Sequence, residues 1–390
     1  MKKLFAVSLL LLTACATTPA SRWSTLDART SEPPFQHALW SILVEDDDGR
    51  VLFERNADLL MIPASNRKLF ASASILDCLG ATTTLHTEVW RNGDDLVLRG
   101  DGDPSLGSWR YERQDDFDQL AQQLRARGIT RVRDVIADVS LFDRITIPGG
   151  WKHGNIGSDY SAPVDALAWE ENALPGDRAV DDAALHAAQQ FREALVLRGI
   201  DVSGATRVNV IPATWQEKVA DLPSPFVGEL LRTVLKYSHN LYAEMLLKRA
   251  GGGTYEEAFA RERSFLLAEP KLAGDTFRFV DGSGLAPDDL MTSRSAVRLL
   301  RWMNEPVRRT FWWDTLAQPN QPGTLRRRVV ALEQRLRGKT GTINGVNALS
   351  GIIAMNDGRY RYFSIVINHH NGDSSAALQI IDAMVLEIAR

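Results

Sequence analysis

Residues 63–68 read Pro63-Ala64-Ser65-Asn66-Arg67-Lys68, and the apolar residues that follow, Leu69, Phe70, Ala73, Leu76 and Leu79, keep helical spacing as far as a stop at Gly80. A serine and a lysine at i and i+3 share one face of such a helix. Ser65 stands at its start, where free backbone N–H groups and the macrodipole favour developing negative charge. Lys68 can then reach the Ser65 hydroxyl and take its proton, provided the amine is neutral. An unperturbed lysine at pH 7 lies roughly 3.4 units below its pKa, a handicap of about 4.6 kcal/mol. Burial or a second cation lowers that pKa, and Lys339 is the cation the sequence offers.

By average usage, S-x-x-K occurs roughly once by chance in a chain of this length, so the string carries weight only through its partners. Two follow in order. Ser238-His239-Asn240 precedes a helix beginning near Leu241, and Lys339-Thr340-Gly341 lies on a strand-like stretch and continues into Thr342. Ser238 can relay a proton from Lys68 to a leaving amine, and the Asn240 amide can orient Lys68 and bind a substrate backbone; helix capping is the competing role of both. The Lys339 ammonium and the Thr340 and Thr342 hydroxyls can receive a terminal carboxylate, and the Ser65 and Thr342 N–H groups can form an oxyanion hole. This is the equipment of acyl transfer through a serine ester.

Outward from these strings, His37–Val44 and Arg50–Glu54 read as strands around Asp47-Asp48-Gly49, and residues 337–343, 347–355 and 361–368 as three more. Together they predict a five-stranded antiparallel sheet, closed by an amphipathic helix from Ser374 to about Ile388. Ser238 stands 173 positions after Ser65, too far for one connection, so an inserted domain is expected. The predicted organisation is a signal segment over 1–15, a flexible tether over 16–35, a catalytic domain over 36–81 and 206–390, and a smaller inserted α+β domain over 82–205. Within the insertion, strands are expected at Thr87–Trp90, Leu96–Leu98 and Arg133–Asp138, with a helix at Asp116–Arg127.

The 390 residues carry a net charge of −4, 44% hydrophobic and 24% charged residues. That is an ordinary globular composition with no basic excess, so nucleic acid is not an expected partner. Lys2 and Lys3, an apolar run from Leu4 to Leu12 and the tetrad Leu12-Thr13-Ala14-Cys15 read as a signal segment ending in a lipobox. Cys15 is the expected lipidation site, with Ala16 after it pointing to the outer membrane. Cys78 is then alone, on the apolar side of the helix after Ser65, and reads as buried and inert. The Arg326-Arg327-Arg328 run reads as a solvated helix face. The seven histidines make no zinc pattern, so neither metal nor cofactor is expected.

The trio S-x-x-K, S-x-N, K-T-G is shared by penicillin-binding proteins and class A β-lactamases. From about residue 38 onward the chain resembles one branch of them, the low-molecular-mass class C penicillin-binding proteins of the D-alanyl-D-alanine carboxypeptidase/endopeptidase family. The strings that carry the resemblance beyond the trio are Pro63-Ala64-Ser65, Gly100-Asp101-Gly102-Asp103-Pro104, Tyr242-Ala243-Glu244, Asp281-Gly282-Ser283-Gly284-Leu285 and Gly338 to Thr342. The resemblance implies a transpeptidase-like fold with an insertion between the first and second motifs, and a periplasmic enzyme acting on peptidoglycan stem peptides. It implies Ser65 as the acylated nucleophile, Lys68 as its base, and Ser238 and Asn240 as relay and orienting groups. Lys339, Thr340, Gly341 and Thr342 would form the carboxylate-binding edge, and β-lactam antibiotics would act as covalent inhibitors. Asp138 matches an inserted-domain acid associated with the diamino-acid side chain of the stem peptide; a strand end or a helix cap are its other readings.

The chain departs from the family in two places. His239 stands where the second motif usually has Asp or Asn, and its ring is expected to point away from the nucleophile. Trp169–Asn172 passes through Leu174-Pro175-Gly176-Asp177 straight to a helix near Asp182, leaving no room for the third domain usually nested there. Two other functions compete: a β-lactamase or esterase on the same fold, which needs a water-activating base that the sequence does not clearly offer, and a non-catalytic wall-binding lipoprotein with a relic site.

Overall fold

The computed structural model describes residues 22–210 and 217–390. The expected signal segment, Cys15 and the first part of the expected tether lie outside the described residues. The catalytic sheet has the order Leu336–Ile343, Val346–Ala354, Tyr360–Asn368, Leu39–Asp46, Val51–Arg55, antiparallel throughout. These are the five strands expected from the sequence, paired in a mixed α/β architecture with helices on both faces.

Alternation along the strands explains the two covered faces. Leu43, Ala348, Ile352, Tyr362 and Val366 join one apolar cluster with the Arg67–Leu79, Val227–Lys236, Asn240–Ala250 and Ser293–Met303 helices. Their neighbours Ile42, Val44, Leu349, Ile353, Phe363, Ile365 and Ile367 join a second cluster under the Ser374–Ile388 helix. The helix Arg67–Leu79 is buried along most of its length, and Gly80 ends it at φ 79°, where a residue without Cβ is favoured.

Residues 22–35 behave differently from the flexible tether expected of them. Arg22–Arg29 is a helix whose Leu26 is fully buried, and Phe35 is fully buried beside it in the second apolar cluster. The Ser, Thr and Pro content suggested a linker, but Leu26 and Phe35 have apolar surface that the sheet face covers.

The insertion carries a sheet of its own, ordered Thr206–Asn209, Val135–Asp138, Asp95–Gly100, His86–Asn92, Glu217–Pro223. It mixes parallel and antiparallel pairs, and the Asp116–Ala126 and Ala183–Leu197 helices pack on it. The sheet therefore runs past residue 205, where the sequence reading ended the insertion. Ala173–Leu174 and Arg178–Ala179 pair as a short hairpin, so the chain turns back within a few residues. The Arg326–Arg328 run is not helical; Arg328 instead pairs with Asp382 on the last helix.

Candidate active site

The first motif does not begin on the α-helix itself. Ala64–Asn66 forms one three-ten turn, with Ala64 at φ 46°, and the α-helix starts at Arg67. That turn fits because two glycines come up against it. A Cβ on Gly284 would meet the Ala64 carbonyl oxygen at 1.9 Å, and one on Gly341 would meet the Pro63 carbonyl oxygen at 2.8 Å. The Asp281–Leu285 loop and the third-motif strand thus close on either side of Ser65.

Lys68 is fully buried. Its Nζ lies 2.9 Å from Ser65 Oγ and 2.6 Å from both Asn240 Oδ1 and the Ser283 carbonyl oxygen. Burial is the main force on its amine, with Arg67 adding to it. Asp281, Glu244 and Asp289 pull the other way, and the balance leaves the pKa at about 7. Arg67, from inside the first motif, thus adds to the depression, and the expected cation, Lys339, and Lys68 repel each other. Lys339 is itself buried and its ammonium is pushed well down, first by burial and then by Lys68. Its Nζ donates to Ser238 Oγ at 2.8 Å and to the Thr340 carbonyl at 2.7 Å.

Ser65, Ser238, Asn240 and Thr342 line one cleft of about 490 Å³, together with Gly284, Leu285, Ile343 and Asn344. Lys68, Lys339 and Thr340 lie buried around it. The opposite wall, Lys152, Asn155 and Tyr160, comes from the insertion. The Asn240 amide donates to the Tyr160 carbonyl at 2.7 Å, which fixes its oxygen toward Lys68. Thr342 is exposed at the strand end, and its Oγ1 accepts from Asn347. Asn347 in turn bonds His370 at 2.8 Å.

Asp138 is not brought to this cleft. Its side chain is fully buried at the end of an insertion strand, where it accepts from Arg99 Nε at 2.8 Å and the Ser140 N–H at 3.0 Å. The strand-end reading describes it, because a buried carboxylate beside a guanidinium keeps that partner. His239 points away from Ser65, as expected: its Nε2 meets Glu171 Oε2 at 2.9 Å.

Beneath Ser65 and Lys68 lies a buried ionic network that the sequence reading did not find. Arg67 clamps Glu262 at 2.6 and 2.7 Å and donates from Nε to the Asp281 carbonyl. The Asp281 carboxylate receives Trp151 Nε1 at 3.0 Å and the N–H groups of Ser283, Gly284 and Ala286. Asp289 beside it is pushed well up by burial and by Asp281. Glu244, accepting from Gly282 N–H and Tyr255, is raised to about 7 by burial and then by Asp281. The strings at 242–244 and 281–285 were the available signal, but spacing alone could not show that they meet under Lys68.

Glu171, on the insertion, also escaped the sequence reading. Burial pushes its pKa up, but the hydrogen bond and charge of His239, with Arg110 and Ser108, outweigh that and bring it to about 2. Glu170, Glu171 and Asn172 all have left-handed backbones, a conformation that costs about 1–3 kcal/mol per non-glycine residue.

The arrangement is a hydroxyl beside a depressed amine, with a second amine bonded to a second hydroxyl across a cleft, which is the layout of nucleophilic acyl transfer. Comparison with known proteins agrees. The model of the D-Ala-D-Ala carboxypeptidase 3 (S13) family matches residues 23–176 and 166–390. The D-alanyl-D-alanine carboxypeptidase of Actinomadura sp. (strain R39) is 30% identical, over 93% of this chain and 84% of that one. Among solved structures, penicillin binding protein 4 (dacB) from Haemophilus influenzae aligns with a TM-score of 0.83 at 17% identity, covering 94% of this chain and 99% of that one. The penicillin G-acylated predatory endopeptidase Bd3459 from Bdellovibrio bacteriovorus aligns with a TM-score of 0.56 at 15% identity, covering 90% and 91%. Family model, curated relative and shared fold converge: the chain is a serine hydrolase that belongs to the D-Ala-D-Ala carboxypeptidase 3 (S13) family.

Proposed function

We propose that Ser65 is the nucleophile of a D,D-peptidase that cleaves D-Ala-D-X bonds in peptidoglycan stem peptides. The observation that carries this reading is the surroundings of Lys68 Nζ. A neutral amine has two N–H bonds and one lone pair. Two of its three partners, Asn240 Oδ1 and the Ser283 carbonyl, can only accept. They take both protons, so the lone pair faces the Ser65 hydroxyl at 2.9 Å. Lys68 is then a poised general base.

In this mechanism Ser65 Oγ attacks the scissile carbonyl as its proton passes to Lys68. The Ser65 and Thr342 N–H groups receive the oxyanion. Collapse breaks the C–N bond, and the departing amine takes a proton relayed from Lys68 through Ser238. Water then adds to the ester, releasing the acid and restoring Ser65. Lys339 Nζ lies under the strand edge as a hydrogen-bond donor to Ser238, and Thr340, Gly341 and Thr342 accommodate the terminal carboxylate of the substrate. Gly341 serves by lacking a side chain, since a Cβ there would press on the nucleophile turn. β-Lactams would follow the first half of this path; a structural neighbour is known in a penicillin G-acylated form.

The substrate of this family lies outside the cytoplasm, and Cys15 is our candidate for the lipid anchor that would hold the enzyme at the outer membrane; incorporation of labelled palmitate, lost in Cys15→Ala, tests it. The catalytic assignment is tested by intact-mass analysis after exposure to benzylpenicillin. One penicilloyl group on Ser65 is expected, with none on folded Ser65→Ala. A folded wild-type protein that takes no label and cuts neither pentapeptide nor cross-linked muropeptide overturns it.

A further inference from the structure

Glu171 belongs to none of the three motifs and comes from the insertion, yet its carboxylate is a meeting point for both parts of the chain. Oε1 accepts from Ser108 Oγ at 2.8 Å, Arg110 Nε at 2.8 Å and Tyr242 Oη at 3.2 Å. Oε2 accepts from His239 Nε2 at 2.9 Å. His239 stands between Ser238 and Asn240, the two residues whose oxygens meet Lys339 and Lys68.

Two further observations point the same way. Ser238 is at φ 64°, and Glu170, Glu171 and Asn172 are at 48°, 60° and 54°. Such backbones persist without glycine only where the surroundings over-determine them, and here the two strained turns are joined by one hydrogen bond. The other ring nitrogen, His239 Nδ1, is buried with no partner among the described residues. The Glu171 bond, with the Tyr242 ring 4.6 Å from the imidazole, therefore sets the ring's place.

We propose that Glu171 is a positioning residue: through His239 it holds the second-motif turn so that Ser238 and Asn240 are in register with Lys339 and Lys68. This rests on the reading of Ser65 and Lys68 given above. The clamp touches no reacting atom; it acts through Ser238 and Asn240, whose register with Lys339 and Lys68 the chemical step needs.

The test separates the two steps by rapid-quench acylation of the full chain with benzylpenicillin. His239→Phe keeps a ring against Tyr242 and removes only the donor to Glu171. A misplacement of this kind is expected to lower the acylation rate constant by about 10- to 100-fold while the dissociation constant of the non-covalent complex stays within about twofold. His239→Gln retains an N–H donor and is expected within about threefold of wild type. Glu171→Ala combined with His239→Phe is expected to lose no more than Glu171→Ala alone, because the two changes break one contact. A His239→Phe protein that acylates at the wild-type rate overturns the clamp, and so do losses that multiply in the double variant. If Glu171→Ala does not fold by circular dichroism, the two His239 variants decide the matter. Failure of the wild type to be labelled at Ser65 overturns the catalytic reading as well, whereas a labelled wild type with an unaffected His239→Phe overturns the clamp alone.

Discussion

Lys68 carries opposite demands in the proposed mechanism: buried among carboxyl groups, it would still have to be free of its proton for Ser65 to attack. Burial and Arg67 lower its pKa, Asp281, Glu244 and Asp289 raise it, and about 7 is the result. A neutral base is required, so acylation should rise with pH through about 7 and fall about tenfold per unit well below it. A stopped-flow pH profile with benzylpenicillin between pH 5 and 9 checks this; a flat profile across pH 6–8 removes Lys68 as the base. The same shift has a stability consequence of fixed sign. An unfolded lysine titrates near 10.4, so between about pH 7 and 10 the unfolded chain holds a proton that folded Lys68 has shed. The cost of burying the ammonium is fully present below about 7 and is relieved as pH rises across that window. The pairing of Lys68 with Ser65 was legible in the sequence, because i and i+3 is a local relation. The sequence could not show that Arg67 presses on the Lys68 amine as well as Lys339, because that depends on how distant segments stack.

Among elements, the decisive contact is the approach of the Asp281–Leu285 loop to the Ala64–Asn66 turn. Gly284 has φ 79°, and its missing Cβ would lie 1.9 Å from the Ala64 carbonyl oxygen. Gly284→Ala combines strain with overpacking and should destabilise the fold by about 3 kcal/mol or more. It should also slow penicillin labelling, since the turn that carries Ser65 must move. Urea-denaturation midpoints measure the first effect; a change below about 0.5 kcal/mol, the range of an ordinary surface substitution, contradicts the packing account. The three inner strands were legible because they run largely apolar between two covered faces. The Arg22–Arg29 helix was not, because its short apolar content is meaningful only once the sheet face beneath it exists.

At the scale of the whole molecule, the segment between the first two motifs reaches the candidate site through three hydrogen bonds. Trp151 donates to Asp281, the Tyr160 carbonyl holds Asn240, and Glu171 holds His239. Trp151→Phe keeps the ring and removes one donor from a buried carboxylate, which should cost about 1–3 kcal/mol. Chemical denaturation followed by circular dichroism measures it, and unchanged stability removes Trp151 from the link between the two parts. The length between the first two motifs announced an insertion, but its sheet extends beyond residue 205 through Thr206–Asn209 and Glu217–Pro223. Those strands pair with partners more than 70 residues away, a register that no local pattern encodes.

The order of the three motifs, the helix behind Ser65 and the five strands of the catalytic sheet follow from the amino-acid sequence, because spacing and alternation are properties of neighbours along a chain. Tertiary structure alone decided which carboxylates surround Lys68, that Asp138 turns to Arg99 instead of the cleft, and that Glu171 reaches His239. Those outcomes depend on which segments exclude water together, and desolvation belongs to a packed volume rather than to any stretch of residues.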